Sequence, residues 1–307
     1  MASPPLDQLI DTVDPGACRL IKVPDRLWVF GGPCAEPELP AASLRDSFWK
    51  YTLKHHAPQK WFGGLDRPEN YPDWWAFSGY SDLLEFERDA CYLSRAIILF
   101  SESPGSLAEL GSLAIDDSIL PRLCIVVERR YLQNDQRASF LNLGPFARVE
   151  KHGNRCVIDD AEKYEIPEVD LDSLVQSVEN WLPKIPLATK FRLTNPTHRL
   201  MLLADLVDLL LVAKPQDIQQ ALRHFDVHFE DTALLQVLKL LDFFKLLKIE
   251  YRGSEPFIIR NSISGAPWID YTAVQGKSAF DRSRFKVNCS TWIKADARRS
   301  SILERPQ

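Results

Sequence analysis

The sequence predicts an α/β N-terminal domain with a Rossmann-like parallel sheet, followed by a mostly helical winged-helix domain. Through Trp181, short apolar runs alternate with stretches whose apolar residues recur at helical spacing. This alternation is typical of a parallel sheet covered on both faces. Beyond Pro183, Pro186 and Pro196, helical spacing dominates. The 307 residues suffice for two domains, since a domain usually takes about 100–200 residues.

The composition is that of an ordinary globular protein, with 45% hydrophobic and 26% charged residues. This balance excludes a largely disordered chain, and no apolar run approaches the roughly 18–20 residues that span a bilayer. The N-terminus lacks the pattern of a secretion signal. Six scattered cysteines without a CxxC pair predict neither a metal site nor a disulfide framework. We therefore expect a cytoplasmic protein without membrane contact.

The N-terminal domain is assigned to residues 1–182. Its first strand ends in Gly31-Gly32, a pair that is typical of a turn where the backbone approaches a ligand. A loop rich in aromatic residues over 58–79 separates two helices, and the run 96–100 is the strongest signal for a buried strand. In chain order the prediction comprises a strand at 27–30, helices at 43–54 and 80–94, and strands at 96–100, 123–127 and 156–158.

A linker over 183–196 leads into the second domain, 197–265. Its predicted elements are helices at 198–212, 215–225 and 231–247, then a hairpin of 247–251 and 256–260. Three helices followed by a two-stranded wing are the winged-helix plan. The third helix is apolar with few cations, so docking to a protein fits it at least as well as reading DNA.

The last segment, 266–307, is predicted to be a basic tail. Eight basic residues lie between 277 and 305, interleaved with aromatic residues. Such a pattern could follow a phosphate backbone and stack on bases. We take Arg282, Arg284 and Lys286 as candidates for binding nucleic acid or a partner. A solvated extension is the alternative.

The best candidate for chemistry is the segment 101–111, which follows strand 96–100 at the edge where α/β sheets bind ligands. Pro104-Gly105 predicts a tight turn, and Ser106 is predicted as the N-cap of the next helix, where N–H groups can hold a phosphate or ribose oxygen. Glu109 then falls at N3, where a carboxylate can attack an anomeric carbon and form a glycosyl ester. The Ser106–Glu109 spacing is also that of a capping box with a structural glutamate.

These residues resemble a known family. The run Glu102 to Gly111 (ESPGSLAELG), after its strand, is similar to the nucleoside deoxyribosyltransferase-like domain of retron effector proteins. Leu27 to Gly32 (LWVFGG) resembles the first strand and turn of that family, and Ser139 to Pro145 (SFLNLGP) resembles a further segment. With the winged helix and the basic tail, the resemblance covers nearly the whole chain.

The resemblance implies an anti-phage toxin that cleaves an N-glycosidic bond of a nucleotide, with NAD as the expected substrate. In deoxyribosyltransferases the glutamate of the Glu-Leu-Gly element is the nucleophile, which implies this role for Glu109. Nicotinamide and ADP-ribose would be the products, so NAD is a substrate here and we expect no cofactor or metal. The implied partners are the retron reverse transcriptase, which holds the toxin in check, and its RNA-linked multicopy single-stranded DNA. A homo-oligomer or filament stays open.

The sequence departs from the deoxyribosyltransferases six residues before Glu109, where those enzymes have an aspartate that helps handle the leaving base. Ser103 stands at this position. Its neighbour Glu102 could act as the catalytic acid, as a ligand of a ribose hydroxyl, or as a loop carboxylate that faces water. Glu87 matches a glutamate of the family and could reach the same cleft, although its position is also typical of a surface charge on a helix.

Further residues complete the predicted substrate site, and each also has a purely structural interpretation. Asn142 could shape the wall beside the base or simply form a turn. Four aromatic residues of the loop could stack on nicotinamide or adenine, or pack in the core: Trp61, Tyr71, Trp74 and Trp75. The predicted substrate-binding residues are Gly31, Gly32, Ser103, Gly105, Ser106, Glu87 and Asn142.

Two other functions fit the same pattern. The α/β domain could sense a nucleotide without cleaving it, while the winged helix regulates transcription. Alternatively, the protein could transfer deoxyribose between bases in nucleoside salvage, although salvage requires no nucleic-acid or partner module. Loss of turnover on removal of the Glu109 carboxylate would separate a glycosidase from a sensor.

Overall fold

The structure, a computed structural model, describes residues 4–55, 60–71, 80–133, 138–261 and 266–304. The chain divides into two compact units, Pro24–Pro186 and Leu187–Gln307 together with Met1–Val23. This division differs from the predicted boundaries in three respects. The predicted linker 183–196 is divided between the two units and contains a strand at 189–190. The first 23 residues belong with the second unit, and the predicted tail is a folded part of that unit.

The secondary structure alternates between short strands and helices in the first unit and is mostly helical in the second. The strands are β1 (Arg19–Leu20), β2 (Leu27–Phe30), β3 (Leu65–Asp66), β4 (Ala96–Phe100), β5 (Leu123–Glu128), β6 (Asn154–Ile158), β7 (Thr189–Lys190), β8 (Val212–Ala213), β9 (Leu247–Arg252), β10 (Glu255–Arg260) and β11 (Ile269–Asp270). The helices are α1 (Asp7–Thr12), α2 (Leu44–Lys54), α3 (Leu83–Tyr92), α4 (Pro104–Ala114), α5 (Ala147–His152), α6 (Glu168–Trp181), α7 (Pro196–Leu210), α8 (Pro215–His224), α9 (Asp231–Phe243), α10 (Arg282–Lys294) and α11 (Ala297–Leu303).

The first unit is built on a parallel sheet in the order β3-β2-β4-β5-β6. Strands β4 and β5 are buried along their whole length, as expected of central strands with helices on both faces. On one face, Ile98 and Phe100 pack in a core shared with α2 and α6. On the other, the Trp28 indole N–H donates to the Ala90 carbonyl of α3 at 3.2 Å. The predicted α/β class is therefore confirmed.

Edge strand β3 lies within the predicted aromatic loop and pairs with β2 in parallel. It was not predicted, because two residues are too few to show the alternation that indicates a strand. Two short 3₁₀ turns, Lys60–Gly64 and Pro68–Asn70, flank it. The described part of the loop is thus ordered around the sheet edge.

In the second unit, the N-terminal segment supplies the central strand of a small antiparallel sheet, β11-β1-β7. This pairing satisfies the backbone groups of β1 and explains why residues 4–23 belong to this unit. Helices α7, α8 and α9 precede the hairpin β9–β10, which β8 extends by pairing with β10. The order of elements predicted for 197–265 is therefore present.

The predicted basic tail contains two helices, α10 and α11. Phe285, Cys289 and Ile293 are buried at a spacing of four residues, which gives α10 an apolar face. Ile293 and Ile302 join an apolar cluster with Phe257 of the hairpin. The alternative of a solvated extension is thus wrong for the described residues. Within those residues, no helix is long and apolar enough to cross a membrane.

Candidate active site

The segment after β4 forms the start of α4 at the carboxyl edge of the sheet. Ser103 is the N-cap: its hydroxyl accepts the Ser106 N–H at 3.2 Å, and the Ser106 hydroxyl accepts the Ser103 N–H at 2.9 Å. Two serines therefore close the capping box. The predicted cap at Ser106 and the predicted box of Ser106 with Glu109 are both wrong. Glu109 lies three residues beyond the box and has no capping role.

The three residues predicted to hold a phosphate or ribose oxygen lie at this helix start. Ser106 is buried, and its hydroxyl also accepts the Glu102 N–H at 3.1 Å, so its oxygen is engaged within the loop. Gly105 is exposed in the first turn, where a backbone N–H has no acceptor within the helix. Ligand binding by Ser103, Gly105 and Ser106 stays a prediction.

Glu102 joins two loops at the carboxyl edge. Its Oε1 accepts the N–H groups of Gly32 at 2.7 Å and Arg45 at 3.1 Å, and its Oε2 accepts the Leu44 N–H at 2.5 Å. The dipole of α2 favours a carboxylate beside its first N–H groups. Because both oxygens bind backbone donors, we assign Glu102 to positioning this edge rather than to proton transfer.

Close packing at this edge explains why glycines follow β2. A Cβ on Gly31, whose φ is +154°, would lie 2.7 Å from Glu102 Oε1 and 2.8 Å from Arg45 Cβ. A Cβ on Gly32 would lie 2.6 Å from Ser43 Cβ. Only glycine fits without displacing these neighbours. Contact of either glycine with a substrate stays a prediction.

We expect Glu102→Gln to destabilise the first unit, because the amide retains one acceptor and turns an NH₂ group towards backbone donors. Hydrogen bonds to a charged group contribute about 1.5–3 kcal/mol each. The free energy of unfolding in urea should therefore fall by at least about 1.5 kcal/mol. Glu38→Gln, which removes an exposed carboxylate of the same unit, is the control. Equal stability of the two variants would contradict the positioning role of Glu102.

Glu109 is half-buried on α4, and its Oε2 has no hydrogen-bond partner in the described parts of the chain. Burial raises the pKa of Glu109 to about 7; Arg45 opposes this rise and Glu69 adds to it. A carboxyl group that titrates near neutral pH and has an unengaged oxygen is suited to nucleophilic or acid–base chemistry.

Glu87 on α3 is buried, so the alternative of a surface helical charge is wrong. Burial raises its pKa to about 8, and Glu109 and Glu69 add to the rise. Two neighbouring carboxyl groups do not both ionise readily, so at neutral pH Glu87 keeps its proton more firmly than Glu109 does. We call Glu69, Glu87 and Glu109 the carboxyl cluster. The sequence singled out neither Glu69 nor Arg45, which faces the cluster.

The raised pKa values predict a stability that falls with rising pH. In the unfolded chain a glutamate titrates at about 4.3, so between that pH and about 8 the folded protein binds more protons than the unfolded chain. Glutamine at position 87 cannot ionise. We therefore expect Glu87→Gln to raise the free energy of unfolding at pH 9 by at least about 1 kcal/mol and to flatten its pH dependence.

Urea unfolding of wild type and Glu87→Gln at pH 6 and pH 9 would measure this effect. Glu85→Gln, on the same helix but only half-buried, should leave the difference between the two pH values unchanged. If Glu87→Gln loses stability equally at both pH values, ionisation of Glu87 does not contribute to the pH dependence of the free energy of unfolding.

Asn142 and the aromatic residues of the loop have structural contacts of their own. The Asn142 side-chain N–H donates to the Tyr131 carbonyl at 2.6 Å, which fixes the turn before α5. Trp61 packs against the apolar core, and the Tyr71 hydroxyl donates to Asp66 at 2.5 Å. These contacts favour packing for the described aromatics, while substrate contact by Asn142 stays a prediction. Outside the described residues lie Trp74 and Trp75.

Two of the three predicted nucleic-acid contacts on α10 are engaged inside the second unit. Arg282 pairs with Asp205 and, at 2.8 Å, with Asp208; Lys286 pairs with Asp208 at 2.9 Å. Both aspartates are buried. These ion pairs neutralise the two cations and speak against their prediction as contacts of a phosphate backbone. Arg284 is exposed and keeps that role as a prediction.

The segment that contains this site matches a known family. A family model described as "STM3845 retron effector protein" matches residues 41–249, a segment that makes up more than half of the chain. The chain belongs to the STM3845 retron effector family. The matched part of this retron effector includes α2, the carboxyl cluster and the start of α4, and it ends before α10.

A relative from Escherichia coli is similar over part of the chain. It is named "Retron Ec86 putative ribosyltransferase/DNA-binding protein", and 113 aligned residues are 30% identical. The alignment covers 36% of this retron effector and 35% of the relative. Shared retron membership is thus supported by two comparisons, whereas the chemistry in the relative's name belongs to that protein.

Proposed function

We propose that this retron effector cleaves the N-glycosidic bond of a nucleotide, with NAD as substrate and nicotinamide and ADP-ribose as products. The observation that carries the proposal is Glu109, a half-buried carboxyl group at the carboxyl edge of a parallel sheet, with an unpartnered oxygen among the described residues. The name of the E. coli relative, which refers to a ribosyltransferase, supports chemistry at a ribosyl carbon.

In the proposed reaction, the Glu109 carboxylate attacks C1′ of the nicotinamide ribose. The bond from C1′ to nitrogen breaks, and its electron pair goes to the pyridinium nitrogen, so nicotinamide leaves as a neutral molecule. A glycosyl ester of Glu109 remains. Water then attacks C1′, which yields ADP-ribose, restores the carboxylate and releases a proton.

The charge of the leaving group favours NAD over a deoxynucleoside. A purine or pyrimidine leaves as an anion unless an acid protonates it, and Ser103 stands where deoxyribosyltransferases have an aspartate. The neighbouring Glu102 binds three backbone N–H groups. Nicotinamide leaves without protonation, so this site needs no acid in its first step.

We further propose that the second unit holds the effector on the retron reverse transcriptase and its RNA-linked multicopy single-stranded DNA, where the toxin is kept in check. Membership of the retron effector family supports this assignment, as does the reference to DNA binding in the relative's name. In this proposal α7–α9 and the hairpin β9–β10 act as a winged helix.

Nicotinamide release from NAD tests the proposal. The purified protein would be assayed alone and with its reverse transcriptase and DNA, with products separated by chromatography. We expect release in at least one of these states. Intact NAD together with free base from deoxynucleosides would indicate a deoxyribosyltransferase instead. Intact substrates in both assays, with a nucleotide bound, would indicate a sensor.

A further inference from the structure

Arg45, in the first turn of α2, is only 2% exposed and lies at the candidate active site. Its Nη1 donates to the Val29 carbonyl at 3.3 Å and to Glu69 Oε2 at 3.1 Å, and its Nη2 donates to Glu69 Oε1 at 2.5 Å. The backbone N–H of Arg45 binds Glu102. The guanidinium is therefore fixed from two sides, and a planar fork of this kind binds carboxylates with defined geometry.

Groups from three elements surround Glu109 in the described part of the first unit. Arg45 comes from α2, Glu69 from the 3₁₀ turn Pro68–Asn70, and Glu87 and Cys91 from α3. Arg45 is the cation among them. Charges interact strongly where water is excluded, so a guanidinium that is paired with Glu69 and opposes the pKa rise of Glu109 influences how readily Glu109 ionises.

Two atoms in this cluster have unused hydrogen-bonding capacity. Arg45 Nε and Glu109 Oε2 are both buried, and neither has a partner in the described residues. Buried polar atoms are normally paired. The unused donor on Arg45 and the unused acceptor on Glu109 are therefore both available to a bound group.

We propose that Arg45 is a positioning residue that keeps Glu109 charged for attack, and that Glu69 competes with Glu109 for the same guanidinium. This inference rests on the proposed function, in which Glu109 acts as a carboxylate. Glu69 is 47% exposed on its side chain, so its hold on the fork is weakened by solvent. The competition of Glu69 and Glu109 for the guanidinium of Arg45 then determines which fraction of Glu109 is ionised and able to attack.

The proposal predicts opposite effects of two substitutions. Arg45→Gln removes the cation and should raise the pKa of Glu109 by about one unit or more. Glu69→Gln removes a competing negative charge and should lower it. The acid limb of the pH profile of nicotinamide release should move to higher pH in Arg45→Gln and to lower pH in Glu69→Gln. At a fixed pH on this limb, the rate should change by about tenfold for each pH unit of the shift.

The pKa of Glu109 can be measured without any substrate. The ¹³C resonance of its carboxyl carbon would be titrated in the full chain carrying labelled glutamate, and Glu109→Gln would identify the signal. Arg45→Lys retains the charge and should keep the pKa closer to wild type than Arg45→Gln does. Glu38→Gln should leave it unchanged. Because Glu69 is partly exposed, Glu69→Gln carries the test if Arg45→Gln does not fold.

The outcomes separate this proposal from the proposed reaction. A Glu109 pKa that is the same in wild type and Glu69→Gln, or that falls in Arg45→Gln, would overturn the role of Arg45 whether or not NAD is cleaved. Opposite pKa shifts in a protein that cleaves no nucleotide would support the electrostatic role of Arg45 and overturn the reaction.

Discussion

Glu109→Gln is expected to reduce nicotinamide release from NAD by roughly 1,000-fold or more, because the glycosyl ester cannot form without the carboxylate. The fold should survive the change. Glutamine has nearly the same shape, and the wild-type carboxyl group is already reluctant to ionise, since burial raises its pKa to about 7. At pH 8 we therefore expect the variant to be as stable as wild type or slightly more stable.

The measurement is the rate of nicotinamide release under the condition in which wild type is active, alongside a urea unfolding curve. Glu38→Gln is the matched control, because it makes the same chemical change at an exposed site of the same unit. Near-wild-type turnover by folded Glu109→Gln would exclude this residue as nucleophile. A glycosidic reaction at this edge would then have to proceed through direct attack by water.

Arg282→Met is expected to destabilise the second unit by about 3–5 kcal/mol, because it leaves a buried carboxylate without its cation. Asp205 is fully buried; burial raises its pKa, and the Arg282 charge opposes that rise. Asp205 also accepts the backbone N–H groups of Trp268 at 2.8 Å and Ile269 at 3.3 Å. Loss of Arg282 therefore affects α7, α10 and the segment around β11 together.

Arg284→Met provides the comparison, since Arg284 lies on the same helix but is exposed. Its stability in urea should stay within about 0.5 kcal/mol of wild type. If Arg282→Met is equally stable, the ion pairs with Asp205 and Asp208 have no structural role and the original prediction for Arg282 regains support. Loss of nucleic acid by folded Arg284→Met would identify this part of α10 as a phosphate contact.

Local sequence was sufficient to predict the α/β class and the location of the candidate site. The run 96–100 is apolar at every position, which is typical of a strand buried on both faces. A loop at the carboxyl end of such a strand lies where α/β sheets bind ligands. Glu109 follows from that position together with the resemblance of its segment to deoxyribosyltransferases.

The interpretation of Glu102 required contacts that are distant in sequence. The carboxylate oxygens of Glu102 accept hydrogen bonds from N–H groups of residues that are 70, 58 and 57 positions away along the chain. A local sequence pattern does not predict such contacts. The same limit applies to Glu87, whose burial depends on how α3 packs rather than on its own spacing.

The position of Arg45 in the sequence weakly indicates that its side chain has a partner in the folded protein. A cation in the first turn of a helix opposes the helix dipole, so its presence there indicates a tertiary partner. The predicted basic tail contains a clearer indication of structure. Its residues Phe285, Cys289 and Ile293 recur at helical spacing, which predicts a helix with one apolar face. The prediction of a basic tail used the charges of that segment and did not consider its apolar face.

Hydrophobic periodicity and turn residues act over a few neighbouring positions. They were therefore sufficient to predict the strands of four or more residues, the helices α2, α3, α7, α8 and α9, and the segment that holds the candidate nucleophile. Which charged groups are paired depends on tertiary contacts. In the tertiary structure, Glu102 binds backbone N–H groups, Arg45 pairs with Glu69, and Arg282 pairs with two buried aspartates. The physical reason is that pairing and burial of charge depend on distances in space, whereas composition and spacing record only distances along the chain.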